Sequence, residues 1–483
     1  MNRPNLTLLS RIALVIASLA IIFAHESVRG VITMQQGSET AVPSDPASVR
    51  RTDRIAAGIP DAFSAAGLVI SNGGFRQDAS SWYAKQNVRL TVVKKEDQTE
   101  LVRGFVRGDF DIIALPTDSF AALYPSLSAL HPVAFILSGS TGGPAVIAAK
   151  EKFPSIASLA KKRVSCVEKS PAHFLLLYLL KENGIHPRDI RWVFTLTDDD
   201  AARLFECGKA DAVVCRTGFS RRALPASAHI LFSTDSAPAF NRCVLVARET
   251  DLVVRPDLYR KIVTGVFETR KALAAMNDAD AATLAEKCAG IKSRLKGNPA
   301  WLIPSLDENS VFFRMTEKRE WDYALAYQTA RELYSVPAES EGLDITATQN
   351  VFFLDSLDPA AYASKGFSPQ NTAAAGADIV LFSQEIPFAK NTTDPAYPSR
   401  LPLAHAAMNA QLFQTSRIMT KGNAAADEIN AAWLAGAREN SVRDAVSKLY
   451  APAAQRFFPS GEKPAAAISA TLQFRAASPD ASK

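Results

Sequence analysis

The sequence predicts an α/β fold for most of the chain. Between Ile156 and Phe219, short apolar segments alternate with helical segments, and a similar order occurs earlier, between Val88 and Leu123. Alternation of strands and helices is typical of a mainly parallel sheet covered by helices. The chain has 483 residues, and at roughly 100 to 200 residues per domain this length predicts two to four compact units.

The segment from Ile156 to Phe219 has the clearest local signals. Ser170 is a good helix N-cap and Pro171 a good first helical residue, so a helix is expected to run from there to Glu182 and to end near Gly184. Ligands bind beyond the carboxyl ends of parallel strands. The predicted strands are Arg163 to Val167, Arg191 to Thr195 and Ala212 to Cys215, with a second helix from Asp198 to Cys207.

The region before this segment is predicted to hold another set of strands and helices. The apolar run Gly67 to Ile70 is interpreted as the first strand, followed by a loop from Ser71 to Phe75. Further strands are predicted at Val88 to Val93, Asp111 to Leu115 and Pro132 to Leu137, with helices at Ser80 to Lys85 and Thr99 to Arg107.

The stretch KKRVSCVEKSPAHFLLLYLLKENGIHPRDIRWV, followed by DDDAARLFECGKADAVVCRTGF, resembles the periplasmic solute-binding proteins of the nitrate, sulfonate, taurine and thiamine-precursor group. LVRGFVRGDFDIIALPTDSFAAL is similar to an earlier unit of that family, and the resemblance extends from Gly67 to about Leu354. It implies a two-lobed clamp of the periplasmic-binding-protein type II fold, spanning 61–354. Lobe 1 would comprise about 61–140 and 240–354, and lobe 2 about 141–239.

Two crossings between the lobes are expected from the same resemblance. The first is the glycine-rich link Ser138 to Gly143, because glycine tolerates the backbone changes of a hinge. The second is expected near Phe232 to Cys243.

The amino terminus predicts export. Arg3 and Arg11 precede the apolar run Ile12 to Ala24, so residues 1–30 are interpreted as a signal peptide or an uncleaved membrane anchor, and both alternatives remain open. Residues 31–60 are interpreted as a linker. The expected location is the periplasm, with a tether to the inner membrane if the segment is not cleaved.

Composition argues against several classes of function. Lysine and arginine number 54 against 49 acidic residues, and they are interspersed, which gives no nucleic-acid signal. The five cysteines lack metal-binding spacing, and no metal or cofactor is expected. Cys166 and Cys215 are either a disulfide in an exported protein or, as we favour, buried thiols. The six histidines form no metal pair, and no catalytic motif is present, so an enzyme is not expected.

The C-terminal part is interpreted as an α+β domain spanning 375–475, followed by a disordered tail at 476–483. Arg417 to Pro464 resembles a degenerate OmpA-like peptidoglycan-binding module. In that family an aspartate and an arginine hold the wall peptide; Arg438 stands near the arginine position, but Gly422-Asn423 stands where the acidic turn is expected. Cell-wall binding is therefore doubtful, and an alanine-rich helical tail without a module remains the alternative.

Candidate ligand-binding residues are those predicted to follow strands or to begin helices. Helix N-termini present backbone N–H groups and a positive dipole, which suit a small anion. Arg216 could pair bidentately with an anionic group or be an exposed arginine, and His173 could contact ligand or cap its helix. Asp118 could orient Ser119, bind an ammonium group or act as an N-cap. The full predicted set is Ser71, Asn72, Gly73, Gly74, Thr117, Asp118, Ser119, Ser140, Thr141, Ser170, His173 and Arg216.

The resemblance implies that the protein closes on a small, anionic solute and delivers it to the permease and ATPase of an ABC importer. The alternative is a membrane-tethered envelope sensor or scaffold that uses the same fold to present a ligand state to a partner protein.

Overall fold

The computed structural model describes residues 53–140, 145–216, 228–234, 237–291, 298–315, 321–335, 345–362, 378–395, 400–460 and 463–477. The predicted signal peptide or anchor, residues 31–52 of the predicted linker, Thr141 and the last six residues lie outside this part. From Thr52 to Lys483 the chain belongs to one compact unit.

Lobe 1 is built on a five-stranded sheet in the order β2-β1-β3-β10-β4. β1 runs parallel to β2 and β3, whereas β10 pairs antiparallel with β3 and β4. The chain therefore leaves this sheet after β4 and returns to it as β10. The strands are β1 (Asp53–Ile59), β2 (Val88–Lys94), β3 (Ile112–Pro116), β4 (Pro132–Ser140) and β10 (Arg242–Arg248).

Lobe 2 is built on a second five-stranded sheet in the order β7-β6-β8-β5-β9. β6 is parallel to β7 and β8, and β5 is antiparallel to β8 and β9. Lobe 2 thus repeats the mixed arrangement of lobe 1. Its strands are β5 (Ala145–Ala149), β6 (Arg163–Val167), β7 (Arg191–Thr195), β8 (Ala212–Arg216) and β9 (His229–Ser233).

The C-terminal domain (378–477) contains a four-stranded sheet in the order β11-β14-β12-β13. β14 is antiparallel to β11 and β12, and β12 is parallel to the short β13. Two helices accompany this sheet, which makes the domain α+β as expected. The strands are β11 (Asp378–Pro387), β12 (Arg417–Gly422), β13 (Phe457–Pro459) and β14 (Ser469–Ala477).

The helices of lobes 1 and 2 follow their strands on the carboxyl side. In lobe 1 the early helices are α1 (Ala66–Ser71), α2 (Trp82–Lys85), α3 (Gln98–Arg107) and α4 (Thr117–Leu127). Lobe 2 contains α5 (Pro171–Glu182) and α6 (Asp198–Glu206). The remaining helices are α7 (Glu249–Val254), α8 (Pro256–Ala275), α9 (Asp278–Ala289), α10 (Leu306–Phe312), α11 (Tyr323–Leu333), α12 (Phe352–Asp355), α13 (Pro359–Tyr362), α14 (Arg400–Leu412) and α15 (Ala431–Leu449).

The local predictions for lobe 2 are confirmed. β6, β7 and the Ser170-capped α5 begin and end within a residue of the predicted positions, because their signals are a short apolar run, an N-cap and a proline in the first turn. Most strands of lobe 1 after residue 88 also lie where they were predicted.

The prediction of a first strand at Gly67–Ile70 is wrong. These residues are buried inside α1, and the first strand is instead β1, which lies within the predicted linker at 31–60. A short apolar run that is buried on all sides has the same composition in a helix as in a strand, so periodicity could not separate the two.

The C-terminal domain packs on lobe 2 through α5. The Tyr178 hydroxyl donates to Asn409 Oδ1 at 2.7 Å, and Asn183 Nδ2 donates to the Leu381 carbonyl at 2.6 Å. The rings of Tyr178 and Phe413 also pack together, with centroids 6.2 Å apart. The domain is therefore joined to lobe 2 by a buried interface rather than by a linker alone. Among the helices that the structure describes, none combines the length and hydropathy that a membrane crossing requires.

Candidate functional site

The two lobes meet at the N-termini of α4 and α5. Each helix follows a parallel strand directly, so both begin at the carboxyl edge of their sheet, where α/β sheets bind ligands. Ser119 Oγ in lobe 1 makes a long contact of 3.5 Å with the Lys169 carbonyl of lobe 2. The predicted residues Asp118, Ser119 and Ser170 are thus brought to one place.

Tyr334, which the sequence did not indicate, links the two helix N-termini. It lies immediately after α11, and its hydroxyl is 2.8 Å from Asp118 Oδ2 and 2.9 Å from the Ser170 carbonyl oxygen. The phenol is buried, and its ring lies 5.8 Å from that of His173 and 6.0 Å from that of Phe174. A side chain from α11 therefore occupies the junction between the lobes.

Asp118 is a buried carboxyl group near the start of α4. Burial raises the pKa of Asp118 to about 6. The hydrogen bonds from Tyr334, the first-turn amides and Ser119 lower this pKa, but their combined effect is smaller than that of burial. Pro116 occupies the N-cap position, so Asp118 is not the N-cap that the sequence left open. Ser119 Oγ lies 3.4 Å from its Oδ2, in agreement with the alternative that Asp118 orients Ser119.

Ser170 and His173 form the start of α5. Ser170 Oγ accepts from the His173 amide at 3.2 Å and donates to the Val167 carbonyl at 2.7 Å, which makes it the predicted N-cap. The His173 ring accepts from the Lys169 amide through Nδ1 at 3.1 Å, and burial lowers its pKa to about 4. A neutral imidazole that accepts at Nδ1 carries its proton on Nε2. His173 is therefore an uncharged group packed between Trp192 and Tyr334.

Arg216 lies at the end of β8 and is paired within lobe 2. Its Nε and Nη2 both lie 3.0 Å from Asp198 Oδ2, and its amide donates to Asp198 Oδ1 at 3.2 Å. The exposed fractions of the two side chains are 16% and 4%. Arg216 is therefore not an exposed surface arginine, which was the alternative interpretation. Its charge is largely neutralised by Asp198, a partner that the sequence did not indicate.

Thr117 and Ser140, two further predicted residues near the junction, are bonded to the backbone of β10. The Thr117 hydroxyl donates to the Arg242 carbonyl at 3.0 Å, which ties the start of α4 to β10. Ser140 is the last residue of β4 and pairs with Arg242 in the sheet. Thr141 lies outside the described residues, as do the glycines of the predicted hinge that follow it.

Ser71, Asn72, Gly73 and Gly74 do not belong to this site, and their predicted grouping with Asp118 is wrong. They lie at the C-terminal end of α1, where Ser71 Oγ donates to the Gly265 carbonyl and Asn72 Nδ2 donates to the Gly74 carbonyl. The turn continues to Gln77, which bonds the first residue of β2, so it lies at the amino edge of the sheet. The error follows from the misplaced first strand, because α1 runs away from the carboxyl edge.

The residues that follow the true first strand were missed. Asp61 and Ser64 lie just beyond β1, and the Ser64 amide donates to Asp61 Oδ1 at 2.9 Å. The Ser138 hydroxyl donates to the Ser64 carbonyl at 2.6 Å. A Cβ on Gly139 would lie 2.2 Å from the Phe63 carbonyl oxygen, so only glycine fits there. An Asp-x-x-Ser pattern after a strand was the signal that could have revealed this helix start.

Cys243 on β10 reports which charges surround the junction. Burial raises the pKa of its thiol well above the ordinary value, Asp61 and Asp118 raise it further, and Arg216 lowers it. All three charged residues are thus within electrostatic range of the Cys243 thiol. Cys166 and Cys215 are buried free thiols, as we favoured. No group of three or more histidine, cysteine, aspartate or glutamate side chains that could hold a metal is found among the described residues.

In the C-terminal domain, Arg438 is fully buried and paired. Its guanidinium lies 2.5 Å from Glu428 Oε1 and 2.8 Å from Oε2, and it also donates to the Asn423 and Thr392 carbonyls, each at 2.9 Å. Both side chains of the ion pair have 0% exposure. The hydrogen bond from Arg438 holds the pKa of Glu428 at about 2. The hydrogen-bond donors of the Arg438 guanidinium are therefore already bonded to acceptors within this domain.

Residues 84–290 match a family described as the periplasmic substrate-binding proteins of phosphonate ABC transporters. The matched segment includes Asp118, Ser170, His173 and Arg216, but neither Asp61 nor Tyr334. Together with the two-sheet topology, it supports a periplasmic solute-binding protein of the ABC importer type. No significant match is found among curated proteins.

The solved structures that are similar to this chain have low sequence identity to it. A putative periplasmic sulfonate-binding protein from Methylobacillus flagellatus is 15% identical, with 64% of this chain and 94% of that chain covered and a TM-score of 0.42. The aliphatic sulphonate binding protein from Escherichia coli is 16% identical, with 65% and 96% covered and a TM-score of 0.43. A Candida albicans protein with the generic periplasmic binding protein fold is 13% identical, with 64% and 98% covered and a TM-score of 0.43. These values support no transfer of a ligand.

Proposed function

We propose that this protein captures a small solute between lobe 1 and lobe 2 and delivers it to the permease and ATPase of an ABC importer. The observation that carries the proposal is the convergence of α4 and α5, one from each lobe, with Ser119 and Lys169 in contact across the junction. A solute that touches both helix starts meets its full set of partners only when the lobes are together.

An anionic solute follows from the sequence expectation and from the description of the matched family, which names phosphonate. Helix N-termini supply N–H donors and a positive dipole end, and Arg216 supplies a charge nearby. Two features oppose the binding of an anion here. Asp198 is already paired with the Arg216 guanidinium, and the carboxyl groups of Asp61 and Asp118 are buried nearby. An anion would therefore bind best where it shares or replaces the Asp198 contact.

Isothermal titration with methylphosphonate, ethanesulfonate, phosphate and nitrate tests this proposal. At least one anion should release heat with the wild type, and Arg216→Ala should weaken its binding by about 10-fold or more, since a charge-assisted bond contributes on the order of 1.5–3 kcal/mol. Arg203→Ala is the matched control, because Arg203 is 57% exposed and pairs with Asp200 on α6 of the same lobe. If no anion released heat, or if the two variants bound an anion with equal affinity, the proposed anion site would be wrong.

A second candidate function, an envelope scaffold or sensor, is favoured by the C-terminal domain. Its Gln411 Oε1 accepts from the Trp321 amide at 3.0 Å, just before α11, while Asn409 bonds Tyr178 and Glu182 of lobe 2. α11 packs against α4 of lobe 1. The domain thus contacts elements of both lobes, which restricts their opening. Neighbouring permease and ATPase genes would favour transport, whereas a neighbouring channel, kinase or wall protein, with a product retained in the membrane fraction, would favour the scaffold.

The proposal does not extend to the cell wall. A wall peptide would have to compete with Glu428 for a guanidinium that is buried and already has backbone acceptors. A pull-down of the full chain with purified peptidoglycan tests the point, and we expect no retention above that of Arg438→Met.

A further inference from the structure

We propose that Asp118, Tyr334 and Ser170 form a proton-dependent latch that holds lobe 1 and lobe 2 together. The latch acts at the site of the proposed solute binding and rests on that function only in assuming that the lobes separate. Its elements come from three parts of the chain that are distant in sequence: the start of α4, the residue after α11, and the start of α5.

The first step of the argument is that the Tyr334 contacts cross between lobes. α11 packs mainly against α4, so Tyr334 is carried by lobe 1 together with Asp118. Its hydroxyl nevertheless reaches the Ser170 carbonyl of lobe 2 at 2.9 Å, and its ring packs against His173 and Phe174 there. Separation of the lobes must break the bond to Ser170 and expose a buried phenol.

The second step is a count of protons. The Tyr334 hydroxyl has a single proton, but both of its partners are oxygen atoms, Asp118 Oδ2 at 2.8 Å and the Ser170 carbonyl at 2.9 Å. If Asp118 is ionised, the hydroxyl can donate to only one of them. If Asp118 is protonated, it donates to the Tyr334 oxygen, which leaves the phenol proton for Ser170. Only the protonated carboxyl group satisfies both contacts.

The third step concerns the other charged and titratable groups that the structure describes near the latch. They are Asp61 after β1, Cys166 on β6, the exposed Lys169 and His173 beside α5, Arg216 on β8 and Cys243 on β10. The Cys166 and Cys243 thiols stay protonated because burial raises their pKa. Burial in the closed state lowers the pKa of His173 to about 4, so exposure of this ring on opening would favour the open state in acid, and His173→Gln removes this opposing effect. Arg216 is held by Asp198. Asp118 is thus the group whose protonation changes the latch.

The sign of the pH dependence follows from the closed-state pKa of Asp118, about 6, compared with the ordinary value of 3.8 that a solvated Asp118 would have in the open state. Closing therefore takes up a proton between these two values. In a His173→Gln background, where Asp118 is the group that titrates, the ratio of closed to open molecules should be highest in acid and fall as the pH rises toward 6, by roughly thirtyfold between pH 4.5 and 7.5. Above that range both states are ionised and the ratio becomes constant.

Spin-label distance measurements on the full chain carrying His173→Gln, without any solute, test the latch. Cys207 on lobe 2 is the exposed cysteine and the other four are buried, so it provides one label site, and Thr91→Cys on the exposed face of β2 provides the second. We expect a short distance at pH 4.5 and the growth of a longer one at pH 7.5. A distribution that is the same at both pH values would overturn the latch. Because no solute is present, that result would leave the proposed solute binding untouched.

Three variants assign the effect to individual atoms. Asp118→Asn, whose amide donates to Tyr334 at any pH, should stay closed at both pH values. Tyr334→Phe should populate the open distance at both. Tyr327→Phe is the matched control, because Tyr327 is a buried tyrosine on α11, the helix that precedes Tyr334, and its hydroxyl has no hydrogen-bond partner in the described structure. A pH response that persists in Asp118→Asn, or equal behaviour of the two phenylalanine variants, would contradict the latch.

Discussion

The ion pair between Arg438 and Glu428 predicts a large and unequal response to mutation. Arg438→Met removes the guanidinium that is paired with a carboxylate whose side chain is fully buried. Glu428 would keep the Asn391 and Ala425 amides, at 2.8 Å and 2.9 Å, but would lose both bonds to the guanidinium. Breaking a buried pair from one side costs about 3–5 kcal/mol, because the remaining charge is left without compensation.

The assay is hydrogen exchange of the α15 peptides across a urea series, which follows the C-terminal domain separately from the lobes. The control is Arg443→Met on the same helix, where the partner Glu439 is 3.7 Å away and the arginine is one-third exposed. That substitution should cost less than about 1 kcal/mol. The double variant Glu428→Gln/Arg438→Met should recover much of the loss, because no charge is then stranded.

The loss in Arg438→Met should also depend on pH. In the wild type the pKa of Glu428 is held at about 2, so its contribution is present above the ordinary value of 4.5 and is lost as the pH falls toward 2. In the variant, Glu428 protonates at a higher pH, and the difference between the two proteins should therefore shrink on acidification. An Arg438→Met that unfolds like Arg443→Met, or a double variant no more stable than Arg438→Met, would refute the reasoning.

Three further predictions concern the lobes. Gly139→Ala places a Cβ against the Phe63 carbonyl and should destabilise the protein by about 1–3 kcal/mol in thermal unfolding. Gly436→Ala in α15, where a Cβ would meet open space, should instead stabilise the protein by about 0.5–1 kcal/mol. Equal shifts in the two variants would contradict the close contact at Gly139. Ser170→Ala removes the α5 N-cap but keeps its carbonyl, so exchange of the first-turn amides should rise by an amount equivalent to about 1 kcal/mol, and unchanged exchange would argue against capping. The His173 ring should titrate near pH 4 in NMR, with its signal assigned by comparison with His173→Gln. Its protonation should destabilise the fold as the pH falls from 6.5 toward 4. A midpoint near 6.5 would show that the ring is solvated.

The sequence was sufficient where the signal was local. The strands at 163–167 and 191–195 and the helix Pro171–Glu182 were predicted nearly to the residue, since an N-cap, a first-turn proline and short apolar runs act within a few positions. The first strand was missed for the opposite reason. Gly67–Ile70 is apolar on every side, and only its tertiary surroundings make it a helix.

The candidate site divides in the same way. Ser170, His173 and Asp118 could be selected from the sequence because helix starts that follow strands are recognisable. Their partners could not, since Tyr334 lies 216 residues from Asp118 and 164 from Ser170 along the chain.

By itself, therefore, the sequence determined the α/β class, the order of most elements and the helix starts that meet between the lobes. The tertiary structure alone decided which charges are already paired, as in Arg216 with Asp198 and Arg438 with Glu428, and that a tyrosine occupies the junction. The physical reason is that hydrogen bonds and ion pairs act over a few ångströms in space, and sequence patterns do not encode which distant side chains folding brings within that range.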